Sequence, residues 1–499
     1  MGEILLAIFK TGSGTLLNLI LGIFTTKLLA INLGPAGIGL FSLLRQTRDV
    51  LITITTLNGS AAFVQGLASR QGKDREDFNG VVFLTVIAST LLVVLILLTF
   101  AQPLTRLILH QDDQQSVALI RGLYLPLLFG SGVFYFTGVL NGYRAIGRLV
   151  IVQVSVAAVT AVLAYPVARW VAQGVPSAFI SMMAVSTAAG SLIGAIFTYK
   201  EKWLPRLQTL HTILAGGQFI SLEYQFLSFA LTTMITGFAS TGTVLIVRSM
   251  IVGHLGLAEA GIFDVGWTLS MVYITMALTS FGAYYLPTLS QTNSPTESTL
   301  LINRVLRLCM IIYVPLITAL VVFIPLLVSV LYSLQFLSSL GMIRWMLLGT
   351  YFKAISWIFA MTIFAAADKK TLLWTEAAWM AGFLIFSAIS LIRFQTIEWV
   401  GLGFTINYAL YLIYTYWYAR KCYRFTPGGG MFVKWMAGLL IIAAASFTTW
   451  NSTHVQWLEA ILWMLAAGAY AYLVLETHER HKFSRWMTQK MRNLFLLKA

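Results

Sequence analysis

The sequence predicts an all-α polytopic membrane protein of about fourteen transmembrane helices, built as two six-helix lobes in parallel repeat plus two extra C-terminal helices. Three observations predict this. The chain is 58% hydrophobic and only 10% charged, whereas a soluble domain is about a quarter charged. Apolar runs of about twenty residues, the length that crosses a bilayer as a helix, recur throughout. A short motif also recurs 222 residues downstream, at the same place in the order of helices.

The apolar runs fall at 8–30, 38–65, 78–101, 117–141, 150–172 and 177–199 in the first half. In the second half they fall at 224–253, 261–290, 305–331, 340–367, 371–392 and 400–419, and the last pair at 431–450 and 455–475. An even number of crossings puts both termini on one side. With that side cytoplasmic, the inner loops and tail carry 22 Lys and Arg and the outer loops only 3. Cytoplasmic loops are enriched in Lys and Arg, so the asymmetry predicts cytoplasmic termini. It also explains the net charge of +15 without nucleic acid. The run from Leu16 to Ala30 lacks a small-residue cleavage site and is expected to remain as a helix rather than leave as a signal peptide.

The repeat pairs Leu33-Gly34-Pro35-Ala36-Gly37-Ile38-Gly39-Leu40-Phe41 with Leu255-Gly256-Leu257-Ala258-Glu259-Ala260-Gly261-Ile262-Phe263. Both copies join the first and second helices of a six-helix unit. Six is even, so the two units have the same orientation and are parallel repeats, as in two-lobed transporters. The expected division is 1–200 for the first lobe, 201–222 for a basic cytoplasmic linker, 223–425 for the second lobe and 426–475 for the extra pair. In the basic tail, 476–499, Phe483, Trp486, Met487, Met491, Leu494 and Leu497 recur at three- and four-residue steps. That spacing predicts an amphipathic helix on anionic inner-leaflet lipid.

No phosphate-binding loop of the G-x-x-x-x-G-K-[ST] type is present, which excludes a P-loop pump. Cys309 and Cys422 are far apart, the six histidines are scattered, and no metal site or cofactor is expected. No outer loop is long enough to host a catalytic site, which argues against a polymerase or ligase and against an enzyme of any kind.

Charge inside the spans is what remains. Such residues are costly in hydrocarbon and face partners or water-filled cavities. Lys27 precedes the first Gly/Pro turn, at Gly34, Pro35, Gly37 and Gly39, and Arg45 and Arg48 follow it. Arg248 precedes the second copy, and Lys353 sits in the middle of the tenth span. Arg45, Arg48 and Asp49 share a helix face, so Asp49 can neutralise one arginine and leave positive charge in excess. Arginine forks match phosphate oxygens in pairs, and lysine acts as a point charge. Lys27, Arg45, Arg48, Arg248 and Lys353 are therefore expected to line one cavity for an anionic, diphosphate-bearing ligand. Tyr284 and Tyr285 are placed to stack on sugars. Asp49, Glu223 and Asp264 pair with the cations or carry protons for coupling to H+ or Na+. Arg121 and Arg344, nearer the outer ends, are expected to snorkel to the interface. Pro287 is expected to interrupt the eighth span, and Pro315 and Pro325 the ninth.

Lys27-Leu-Leu-Ala, Gly34-Pro-Ala-Gly-x-Gly-Leu, Arg45-Gln46, the run Ser280-Phe281-x-x-Tyr284-x-Leu286-Pro287-Thr288-Leu289-Ser290 and Lys353 together resemble the Wzx polysaccharide flippases of the MATE-like (MOP) superfamily. The likeness covers roughly residues 1–420 in scattered blocks and is closest to the O-antigen and lipid III flippases. It implies two lobes around a central cavity in the bacterial cytoplasmic membrane. It also implies a substrate made of undecaprenyl diphosphate carrying a short oligosaccharide, flipped from the inner to the outer leaflet without ATP. A monomer serving a polysaccharide polymerase and chain-length regulator is the expected setting. The rival within transport is a cation-coupled exporter of small amphipathic compounds, which favours acidic rather than cationic cavities.

Overall fold

The computed structural model describes residues 2–215, 218–292, 294–476 and 480. Every regular element among them is helical. Eleven helices among the described residues are long and apolar enough to cross a membrane. One of them, Ser13–Ser69, has 57 residues, about 85 Å at the helical rise per residue. The apolar core of a bilayer is ~30 Å thick, so this segment accounts for two crossings. The tail beyond Arg480 lies outside the described residues.

The first crossing breaks at one residue. Gly34 has φ 63° and ψ −165°, inside an otherwise continuous helix, Gly2–Thr55. Only glycine adopts that backbone without strain. Pro35 then opens the next helical stretch, where its missing N–H costs nothing. The turn expected over four residues is thus made at Gly34 alone. In the second copy of the motif, Gly256 likewise has φ 93°, between helices Gln218–Leu255 and Leu257–Trp267.

The chain divides into two compact units. The first comprises Met1–Asp264 and Leu331–Gln335. Within it the helix Gly2–Thr55 packs on Ile146–Ala172 and on Gln218–Leu255, and Tyr124–Gly142 packs on Ala178–Lys200. Small residues make that last approach close: Gly190 faces Val133, and Gly194 faces Phe136. Close packing of small residues is how membrane helices gain contact when lipid is as apolar as their side chains. Phe63, Phe78 and Tyr135 form a buried aromatic cluster in this unit. The basic linker is partly helical: Leu207–Ala215 packs against Gly72–Thr99, with Ile213 buried over Gly80.

The second unit comprises Val265–Val330 and Phe336–Ala499. Its helix Leu340–Ala365 packs against Ile397–Tyr423 and against the first of the extra helices, Met431–Thr448. The expected proline breaks are not where the helices yield. Pro295–Leu331 runs on through Pro315 and Pro325, and Tyr273–Ser290 runs on through Pro287. The eighth span instead changes to a π-helical turn at Thr268–Val272. Tertiary packing holds the proline helices together, and the wide turn leaves the Ser270 carbonyl to accept from the Thr350 hydroxyl at 3.0 Å.

Arg344 also departs from expectation. It is only 1% exposed and does not snorkel. Its guanidinium donates to the carbonyls of Thr449 and Trp450, each at 2.5 Å, and of Ser452 at 3.1 Å. These carbonyls belong to the C-cap residue and the exit of helix Met431–Thr448, at the negative end of its dipole. The extra pair is fastened to the second unit through this cap. Arg121, by contrast, is exposed.

Candidate anion site

Arg45 and Arg48 lie on the same helix, just past the Gly34 break. Arg48 is taken by its neighbour: its Nε and Nη2 donate to Asp49 Oδ1 at 3.0 and 2.7 Å. That pair is close to neutral. Arg45 reaches across to another helix, where its Nη2 lies 3.6 Å from Asp264 Oδ1. Its guanidinium also lies over the Phe41 ring, 5.7 Å from the centroid. The same Asp264 oxygen accepts from Arg248 Nη2 at 2.5 Å, and Arg248 Nη1 donates to the Ser42 carbonyl at 3.0 Å.

Two guanidiniums therefore share one carboxylate, which leaves a net positive charge. Arg248 is 1% exposed and Asp264 4%. The Arg45 side chain is 39% exposed and is the accessible member of the three. Arg45 is the side of the cluster open to solvent, while Arg248 holds the carboxylate from the buried side. The repeat explains the geometry, since Ser42 and Asp264 occupy equivalent positions 222 residues apart. Arg248 bridges the two equivalent points.

The other expected residues have their own partners. Lys27 Nζ donates to the Tyr332 carbonyl at 2.6 Å, within the first unit. Lys353 lies in the second unit, 8% exposed. Its Nζ donates to Thr275 Oγ1 at 2.6 Å and to Met271 Sδ at 3.2 Å, so a residue of the π-helical turn forms part of its surroundings. Tyr285 is 1% exposed with its hydroxyl donating to the Ile358 carbonyl at 3.2 Å. It is packed between helices and offers no ring face to a sugar, whereas Tyr284 is 65% exposed. The side chain of Glu223 lies outside the described residues. No group of three or more His, Cys, Asp or Glu side chains able to hold a metal occurs among the described residues.

Sequence reasoning missed the backbone partners: the carbonyls of Ser42 and Tyr332, and the close approach of Gly39 to Gly261. A Cβ on Gly39 would sit 1.9 Å from the Leu257 carbonyl oxygen, and a Cβ on Gly261 2.0 Å from that of Pro35. Gly39 and Gly261 are repeat equivalents, as are Pro35 and Leu257. The signal was present in the shared glycines of the motif.

A model of the family described as polysaccharide biosynthesis protein matches residues 5–293, more than half of the chain. The chain belongs to the polysaccharide biosynthesis protein family. The matched part of this family member contains Arg45, Arg48, Arg248 and Asp264 together. Over 385 residues the chain is 23% identical to proteins named Lipid III flippase from Escherichia coli (strain K12) and Shigella flexneri, covering 76% of this chain and 89% of theirs. Among solved structures it is similar to the Lipid II flippase MurJ in an inward closed conformation. That match has TM-score 0.67 and 15% identity, and covers 94% of this chain and 98% of the other. It is also similar to an inward-facing multidrug resistance MATE family transporter of the MOP superfamily, with TM-score 0.65 and 12% identity, over 82% and 94% of the two chains. The chain has the MurJ/MATE-like fold.

Proposed function

We propose that this transporter flips a lipid-linked oligosaccharide, carried on undecaprenyl diphosphate, from the inner to the outer leaflet of the cytoplasmic membrane. It is a multi-pass membrane protein and not an enzyme. The observation that carries the reading is the Arg45–Asp264–Arg248 cluster: one carboxylate, two guanidiniums, and the exposed guanidinium free to fork onto phosphate oxygens. A sugar diphosphate crosses hydrocarbon too slowly unaided, because its charges lose their water. Excess positive charge inside the spans replaces that water. The same excess disfavours the rival reading, a cation-coupled exporter of small amphipathic compounds, which favours an acidic cavity.

In this reading the lobes 1–200 and 223–425 rock about a central cavity, and Lys27, Arg45, Arg48 and Lys353 meet the diphosphate in turn as access alternates. Arg248 acts behind Arg45. Tyr284 stacks on sugar, and the isoprenoid tail stays in lipid. Both termini are cytoplasmic, the tail 476–499 lies on anionic lipid, and H+ or Na+ couples the cycle. A monomer hands its product to a polymerase and chain-length regulator.

Complementation of a flippase-null strain, read as surface polysaccharide, tests the function. Arg45→Ala is expected to abolish it at normal expression. Arg45→Lys is expected to restore only part, because a bidentate fork becomes a point charge. Full complementation by both Arg45→Ala and Lys27→Ala overturns the reading. Labelling of introduced cysteines in intact cells tests orientation, with failure expected at residue 206 and success at residue 112.

A further inference from the structure

The repeat is visible as contacts as well as sequence. Lys27 and Ser249 are equivalent positions, 222 residues apart. Each donates to a backbone carbonyl of the other half of the chain: Lys27 Nζ to Tyr332 at 2.6 Å, and Ser249 Oγ to Leu107 at 2.5 Å. Leu107 and Tyr332 are themselves separated by close to the repeat spacing. Between these bonds the Gly39 and Gly261 backbones approach reciprocally, each against the carbonyl of the third residue of the other motif, Leu257 and Pro35. The result is a clasp with approximate two-fold symmetry: two hydrogen bonds outside, and two glycine contacts at its centre.

The two outer bonds differ in charge. The Ser249 hydroxyl is neutral and is further held by the His110 ring, 3.2 Å away. The Lys27 bond is instead made by an ammonium, with the Tyr332 carbonyl as acceptor. A diphosphate is a far stronger acceptor for an ammonium than an amide oxygen is, because the bond is then charge-assisted on both sides. A hydroxyl has no comparable preference. Lys27 lies on the same helix as Arg45, on the other side of the Gly34 break.

We propose that Lys27 is a ligand-sensitive latch: a diphosphate draws its ammonium off the Tyr332 carbonyl and unfastens this half of the clasp, while the Ser249 half does not respond. This rests on the anion reading of the site given above. Lys27 thereby joins capture of the headgroup to parting of the two motifs, and acts as a positioning residue for the conformational change.

The test uses the full chain in detergent with Cys309→Ala and Cys422→Ser, and Ala260→Cys as reporter beside Gly261. Ala260 is 0% exposed, so maleimide labels it only when the clasp parts. Without ligand, Lys27→Met is expected to label about tenfold faster than the parent, the size of a lost hydrogen bond to a charged group. Lys27→Gln, which keeps a neutral donor, is expected to label near the parent rate. Equal rates for Lys27→Met and the parent overturn the latch.

Farnesyl diphosphate is the probe for the second arm, with farnesol as the uncharged control. Farnesyl diphosphate is expected to speed labelling of the parent and of Ser249→Ala, but not of Lys27→Gln; farnesol is expected to change none. Equal acceleration of Lys27→Gln overturns the role of Lys27 as sensor. If calorimetry finds no binding of farnesyl diphosphate to the parent, the anion reading fails and takes ligand-driven release with it. The ligand-free comparison still measures the fastening by Lys27.

Discussion

Arg248 and Arg344 are equally buried, each 1% exposed, and both lie in membrane-spanning helices. They differ in what receives them. Arg248 meets a carboxylate that a second, more exposed arginine also contacts. Arg344 meets three backbone carbonyls at the end of a helix. The first arrangement leaves positive charge in excess at Arg45, whose side chain is 39% exposed. The second places the guanidinium on groups that needed donors in any case, and nothing in it addresses a ligand. A cation at depth is therefore a sign of function only when its neighbours leave charge over, and a structural cap when they do not.

The comparison breaks most decisively at Asp264. Asp264→Ala leaves a fully buried guanidinium without its counter-charge, a change that costs ~3–5 kcal/mol. It is expected to lower the melting temperature in detergent more than any other single change here. Replacing both partners, Arg248→Met with Asp264→Leu, is expected to recover most of that stability, because a buried ion pair is close to neutral against an apolar pair of similar volume. Recovered stability without recovered complementation is expected, since Arg45 then lacks the carboxylate that positions it. Recovery of both would show that Arg45 needs no such support.

Arg344→Gln is next in size. It takes the guanidinium from the carbonyls of Trp450 and Ser452, and from that of Thr449, which keeps the Ser452 N–H, and is expected to cost ~1–3 kcal/mol, the penalty for acceptors left without donors in an apolar setting. Complementation is expected to fall only as far as folded protein falls. A loss of flipping at normal levels of folded protein would give Arg344 a place at the site and dissolve the contrast with Arg248. Arg45→Ala is expected to show the opposite split. Its side chain is 39% exposed, so melting should shift little while transport is lost.

The smallest effect concerns two aspartates outside the spans that cap helices. Asp368 accepts from the Thr371 hydroxyl and amide, and Asp113 from those of Ser116. These bonds, the side-chain ones foremost, hold both carboxyls below the ordinary aspartate value. A carboxyl depressed in the folded state stabilises the fold above its unfolded pKa, and that contribution disappears as pH falls through the folded value. Melting of the wild type should therefore decline on acidification below ~4, where free aspartate protonates. The decline should be slightly shallower in Asp113→Asn or Asp368→Asn. Identical slopes in all three would mean that the caps do not contribute.

Fold class was legible in the sequence because hydropathy sums locally: twenty apolar residues in a row have few alternatives to a membrane helix. The 222-residue repeat was legible for a related reason, since Gly34 and Gly256 each stand where the backbone takes positive φ and only glycine is unstrained. The intramembrane cations were legible as exceptions to an apolar background. Which of them remain available to a ligand was not. That depended on Asp264 lying between Arg45 and Arg248, on the Thr449 carbonyl reaching Arg344, and on Ile358 accepting from Tyr285. Each of these contacts joins residues from 16 to 219 positions apart. Residue type and local spacing specify a helix and the face a side chain occupies, but not which carbonyl or carboxylate the fold carries up to that face. The same holds for the helix breaks: proline chemistry pointed to Pro287, Pro315 and Pro325, while packing kept those helices continuous and placed the irregular turn at Thr268–Val272. Charge and hydropathy set which residues must find partners; the tertiary structure chose the partners, and with them which cation is left over to act.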